Sequence, residues 1–257
     1  MSLSRLREAG FDVMTRNHAE AILSVDFTAE TAELVDALLS FRLSATELIG
    51  GGGGEAPSTI RLRHALSDAG WKKHNFRIET SVDGVAQGIG TSHEIDHIRR
   101  ASGGLLALEI EWNNKDPFFD RDLENFQRLH GQAVISAGVI VTRGAALQAG
   151  LQALVARMIG ERGIKDEAGF AVFGVKDRSA RQREIVARAM ARGDSFAEAF
   201  ARQFVADKFG PSTTHWEKLA DRVARGVGNP CPLVLLGLPA DVIADRTDDS
   251  PPEDLFS

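Results

Sequence analysis

The sequence predicts an α/β protein with a mixed central β-sheet flanked by α-helices. Three observations carry this. Strand-period and helix-period segments alternate along the chain instead of clustering. Several of the strand segments are apolar enough to be buried. The chain has 257 residues, 43% hydrophobic and 26% charged, which is ordinary globular composition at a length that buries a large core without disulfides.

Taken in order, Leu34, Val35, Leu38, Leu39 and Phe41 fall mostly at helical spacing between Thr28 and Arg42, with Thr28 as the cap. Gly50 to Gly54 break that pattern, and two readings stay open: a flexible loop, or backbone lying close to a ligand. A phosphate loop is excluded because no Gly-Lys-Ser/Thr follows. Ser58 caps a second helix through Leu66 that stops at Gly70. His74–Thr80 alternates, Ser92–Ile98 forms a short strand, and Leu105–Trp112 is a strongly apolar strand interrupted by two glutamates. Asp116 caps a helix with Pro117 in its first position and a stripe of Phe119, Leu123, Phe126 and His130. Val134–Thr142 is a buried strand, Ala145–Ile159 a helix, Phe170–Val175 a strand, and helices fill Ala180–Phe209. Thr214 to Glu217 has the form of a capping box opening a helix to Arg225, and Pro232–Leu238 is the last strand. The organisation expected is one domain, 1–257: a helical part over 1–70, a core over 71–240 and a loose acidic, proline-containing tail over 241–257.

Charge and composition exclude several functions. A net charge of −6 gives no overall pull toward nucleic acid, which excludes a nonspecific DNA coat but not an enzyme with basic residues gathered in a cleft. Tyrosine is absent, so no tyrosine nucleophile exists. The lone Cys231 makes no intramolecular disulfide, and no Cys/His cluster has zinc spacing, so a reducing cytoplasm is expected. No apolar run approaches the roughly 18 residues of a membrane span, and Met1 to Gly10 carries charge where a signal peptide is apolar.

The chemistry concentrates in Leu105 to Asp116, LLALEIEWNNKD. Side chains alternate on a strand, so Glu109 and Glu111 point one way and Leu108, Ile110 and Trp112 the other. An isolated Glu-x-Glu reads as a solvated face. Here the pair interrupts a core-forming strand and is followed by Asn113, Asn114 and Lys115, which favours a functional cluster. Neighbouring like charges need a proton or a cation, and a hard divalent cation suits oxygen ligands. Asp96, on the preceding strand, supplies a third acid if the two strands pair.

An Asp, a gap and then Glu-x-Glu at a strand end resembles the PD-(D/E)xK nuclease superfamily, and within it the Type II restriction endonucleases of the BglII/BstYI group. The likeness rests on HEIDHI (93–98), ALEIEWNNKDPFFDRDLENF (107–126), VIVTRG (139–144), TTHWEKL (213–219) and GNPCPLVLLGL (228–238), with GGGGE and GWKK upstream. It implies a restriction-endonuclease-like core and a homodimeric, Mg²⁺-dependent enzyme cutting double-stranded DNA at a short palindrome, with GATC at its centre. Position by position, it implies that Asp96, Glu109 and the Ile110 carbonyl hold the metal. Glu111 stands where the superfamily usually has lysine, a variant resembling BamHI, and would orient or deprotonate the attacking water. Lys115 is not assigned the missing lysine's role.

Weaker candidates follow. Arg143, at a strand end beside Gly144, is the one residue singled out for reading a base, with a purely structural role left equally open. Thr213, Thr214 and His215 match the family's TTH element, although a capping box explains Thr214 without a ligand. Lys72 and Lys73 are candidate phosphate contacts, and Glu47 or Glu55 a candidate extra acid; each reads as readily as a solvated side chain. His93 and His97 read as structural, and Trp216, Phe118 and Phe119 as packing or dimer-interface residues. A nonspecific or repair nuclease of the same fold, and a catalytically silent DNA-binding or assembly protein, are the alternatives.

Overall fold

The computed structural model describes residues 2–50, 57–79, 81–86, 91–173 and 178–244. They divide into two compact units, 1–40 with 61–149 and 208–240, and 41–60 with 150–207 and the C-terminal residues.

The first unit is built on a six-stranded mixed sheet. Its strands are β1 (Asp12–Arg16), β3 (Lys72–Ile78), β6 (Thr91–Ala101), β7 (Gly104–Glu111), β8 (Ala137–Arg143) and β9 (Leu233–Leu238), in the order β1-β9-β8-β7-β6-β3. Outside the sheet, β2 (Leu43–Ser44) pairs with β10 (Ile243–Ala244), and β4 (Ser81–Val82) with β5 (Val85–Ala86). β7, β8 and β9 run parallel, whereas β3, β6 and β1 pair antiparallel with their neighbours. Every residue of β8 and β9 is buried, which is why both read as unbroken apolar runs. The helices of this unit are α1 (Ser2–Glu8), α2 (Ala19–Val25), α3 (Thr28–Ser40), most of α5 (Pro57–Asp68), α6 (Phe118–Gly131), the start of α7 (Ala145–Glu161) and α10 (Trp216–Ala224).

The helix α6 settles closely onto the sheet. Phe119, Leu123, Phe126 and Leu129 join Leu105 and Ala107 of β7, Ile140 of β8 and Leu233 and Leu235 of β9 in one core. Gly138 makes this approach: a Cβ there would collide with the Phe126 ring. That closeness brings the first turn of α6 against the end of β7.

In the second unit lie α4 (Ala45–Ile49), the rest of α7, α8 (Ala180–Met190), α9 (Phe196–Lys208, its last residue in the first unit) and the β2/β10 pair. Phe170 packs at a tilt against Phe196 and Phe200, Phe204 stacks on Phe200, and Arg178 lies over the Phe200 ring while pairing with Glu167.

Four expectations are corrected. Glu167–Phe173 is a 3-10 helix, not the start of a strand, and residues 174–177 lie outside the described residues. A short apolar run does not distinguish the two, and Phe170 and Phe173 both go into the core at helical spacing. The edge strand β1 was not foreseen; its residues are only half-buried and alternate weakly. Asp116 does not cap α6; its carboxylate pairs with Arg222 and Lys218. The Thr214–Glu217 capping box does not form, because the Thr214 hydroxyl is used elsewhere and His215 holds the cap position without a side-chain bond. Of the glycine run only Gly50 is described, and the tail beyond Ala244 lies outside the described residues.

Candidate active site

β6 and β7 pair with His97 opposite Leu108 and Ile98 opposite Ala107, a register that carries Asp96 to Glu109. The Asp96 backbone N–H donates to Glu109 Oε2 at 3.3 Å, and the two carboxyls touch. On the other side of β7, Ile140 and Thr142 of β8 stand opposite Glu109 and Glu111. The Thr142 hydroxyl donates to the Glu111 carbonyl at 2.8 Å, which fixes the strand end. Both glutamates are 2% exposed, so the expectation of two like-facing acids on a core strand describes what is found.

The sequence reading missed a fourth acid. Asp122, in the first turns of α6, is fully buried and touches Glu111. Its Oδ1 accepts from Arg121 Nε at 2.8 Å and Nη2 at 2.7 Å, and the same guanidinium reaches Glu111 Oε1 at 3.5 Å. Asp122 Oδ2 has no hydrogen-bond donor. The signal was present: Phe119, Asp122 and Phe126 follow the i, i+3, i+7 spacing of a buried stripe, where a carboxylate is out of place.

Glu109, Glu111 and Asp122, clustered out of water, disfavour their own charge. Burial first, then the charges of Asp96 and Asp122, push Glu109 up to about 10. Burial and Asp122 push Glu111 up to about 8, against the Asn114 amide and Arg121. Burial also raises Asp122. Among the described residues no group of three or more His, Cys, Asp or Glu stands ready as a metal cluster. Mg²⁺ needs less: one or two carboxylates with substrate phosphate and water complete its shell. The touching pair Asp96 and Glu109, with the half-buried Ile110 beside them, fits that ion in donor chemistry.

The segment after β7 is held from behind. Asn114 donates its amide to Glu111 Oε2 at 2.6 Å. Asn114 is itself clamped by Thr214, whose hydroxyl accepts from the Asn114 N–H at 3.0 Å and whose N–H donates to the Asn114 carbonyl at 2.8 Å. Arg143 donates to the Trp112 carbonyl, to Asn113 Oδ1 at 3.1 Å, to Thr213 Oγ1 at 2.8 Å and to Gln148 Oε1 at 2.9 Å. This network, spread over a hundred residues of sequence, holds the segment that leaves β7.

The residues expected to contact DNA are placed as follows. Arg143 is fully buried with its donors turned inward, because the strand end it occupies is roofed by Trp112 and Phe209. Gly144 serves packing, since a Cβ would meet Asp12 Oδ2 and the Leu238 carbonyl at 2.6 Å. Thr213 and Thr214 are spent on the same clamp, and His215 is buried at the start of α10. Lys72 Nζ donates to the Ser67 carbonyl at 2.7 Å and hydroxyl at 2.9 Å, and Lys73 pairs with Glu94. Glu47 closes a capping box with Ser44 on α4 in the second unit, and Glu55 lies outside the described residues. His93 and His97 are buried on β6, Phe119 and Trp216 pack in or against the core, and Phe118 is exposed under the Arg121 guanidinium.

Comparison with curated proteins gave no match. A family model described as restriction endonuclease BglII/BglIII matches residues 11–238, a span that holds the whole sheet and all four acids. With that match over most of its length, the chain belongs to the BglII/BglIII restriction endonuclease family, enzymes that cleave DNA in restriction–modification.

Proposed function

We propose that the protein is a Mg²⁺-dependent, homodimeric Type II endonuclease that hydrolyses double-stranded DNA at a short palindrome, in the cytoplasm, as a single nuclease domain. The observation that carries this reading is the buried pair Glu109 and Glu111 with Asp96 in contact, an arrangement of acids that stability alone does not favour. Asp96, Glu109 and the Ile110 carbonyl would hold the ion. When bound, such an ion supplies positive charge to the scissile phosphate and makes a neighbouring water easier to deprotonate.

The chain's own residues do the rest. Glu111 orients the attacking water and takes its proton. Asn114 turns the Glu111 carboxyl by donating to Oε2. In keeping Glu at this third position the site follows the BamHI-like variant and dispenses with the superfamily's lysine; Lys115 is exposed and its backbone bridges to Thr213.

Two-fold DNA sites match two-fold proteins, one cleavage centre to each strand. A plasmid digested with Mg²⁺ and, in parallel, with EDTA tests the reading. Discrete bands that vanish with EDTA are expected, with ends mapping to a six-base palindrome centred on GATC and four-base 5′ overhangs. A smear would support nonspecific cleavage, and an unchanged plasmid that still shifts in a gel would support a silent binder. Ends at a site without GATC would remove the specificity and leave the nuclease.

A further inference from the structure

We infer that Asp122 is a positioning residue for Glu111, acting through Arg121; the inference rests on the nuclease reading above. Each oxygen of Glu111 has its own anchor. Oε2 takes the Asn114 amide at 2.6 Å, and Oε1 faces the Arg121 guanidinium at 3.5 Å. Asn114 is fixed by Thr214. Arg121 is half-exposed and on its own would have a long side chain's choice of solvent rotamers. What holds it over Glu111 is Asp122, which receives both Nε and Nη2 on one oxygen.

A purely structural ion pair does not account for this geometry. Asp122 occupies the core stripe of α6 between Phe119, Leu123 and Phe126, where leucine would pack without desolvating a charge. Its second oxygen is buried and receives nothing from Arg121, and its carboxyl is pressed against the Glu111 carboxyl. Stability would remove such a group, whereas orientation of Glu111 needs it. Natural cores break their own pattern mainly where function requires it.

The test compares wild type, Asp122→Leu and Asp122→Asn in three measurements: single-turnover plasmid cleavage with Mg²⁺, DNA affinity by gel shift with Ca²⁺, and the thermal midpoint in EDTA. Asp122→Leu is expected to keep the wild-type midpoint or exceed it and to bind DNA as wild type. It should cut about 10²-fold more slowly, the penalty of a catalytic group misplaced by about an ångström. Asp122→Asn keeps an oxygen acceptor for Arg121 and should recover most of the rate. Wild-type cleavage by the leucine variant would overturn the proposal, as would a lowered midpoint accompanied by weaker DNA binding, which marks a structural role. Failure of the asparagine variant to recover the rate would overturn it also. A wild-type protein that cuts no DNA would remove the nuclease reading and this proposal together, whereas an unimpaired Asp122→Leu beside an active wild type removes the proposal alone.

Discussion

Glu109 and Glu111 are acids that the fold holds against their charge, and this has a pH signature. Their folded values of about 10 and about 8 lie above the ordinary carboxyl value of 4.5. Over the interval between, the folded chain keeps protons that the unfolded chain has released. The stabilising share of these groups is therefore fully present below about 4.5, falls as the pH rises, and is gone above the folded values. Thermal midpoints of the metal-free protein should fall from pH 5 to pH 9, and Glu109→Gln and Glu111→Gln should flatten that slope; identical slopes in all three proteins would refute the assignment. A divalent cation competes with those protons, so Mg²⁺ should raise the midpoint more at pH 8 than at pH 6. For the reaction itself, Glu109→Ala should abolish cleavage while leaving DNA binding intact, because on the reading proposed above it removes a metal ligand and not a DNA contact. A variant cutting at the normal rate would take Glu109 out of the site.

At the scale of elements, the site depends on how β7 ends and how α6 begins. Arg143 lies at the end of β8, yet its work is on the segment after β7, which it ties to Thr213. Arg143→Ala should therefore act on stability before it acts on DNA. It leaves a carbonyl and three side-chain oxygens short of donors and opens a hole between Trp112 and Phe209, together costing roughly 2–5 kcal/mol in urea unfolding. Lysine should not restore it, because one ammonium cannot replace the planar fork that reaches four acceptors. Loss of DNA affinity with unchanged unfolding would contradict this placement. The strand pattern of Leu105–Trp112 was legible because a charged pair interrupts an apolar run. The clamp was not, because its partners lie about a hundred residues apart and a Thr-x-x-Glu spacing offered a local explanation that tertiary contacts overrode.

At the scale of the whole molecule, the prediction is a dimer. Phe118 stays exposed at the start of α6 beside the acids, while its neighbour Phe119 is in the core. Sedimentation should give about twice the 27.8 kDa chain mass, at least with DNA bound. A monomer under both conditions would remove the two-fold cleavage scheme and leave the hydrolytic site standing.

The sequence by itself determined the α/β class, the apolar strands and the like-facing pair Glu109 and Glu111, because period, composition and alternation are local and survive without tertiary context. It also placed Asp96 correctly, since a hairpin partner is a short-range inference; the observed register then brought Asp96 to Glu109. Only the tertiary structure decided which polar side chains face the acids and which face inward. Asp122 joined them because Gly138 lets α6 settle onto the sheet, and Arg143, Thr213 and Thr214 bond to one another's segments because buried donors and acceptors must find partners. A long polar side chain reads the same in sequence whether it reaches outward or in, and the choice belongs to the chain segments packed around it.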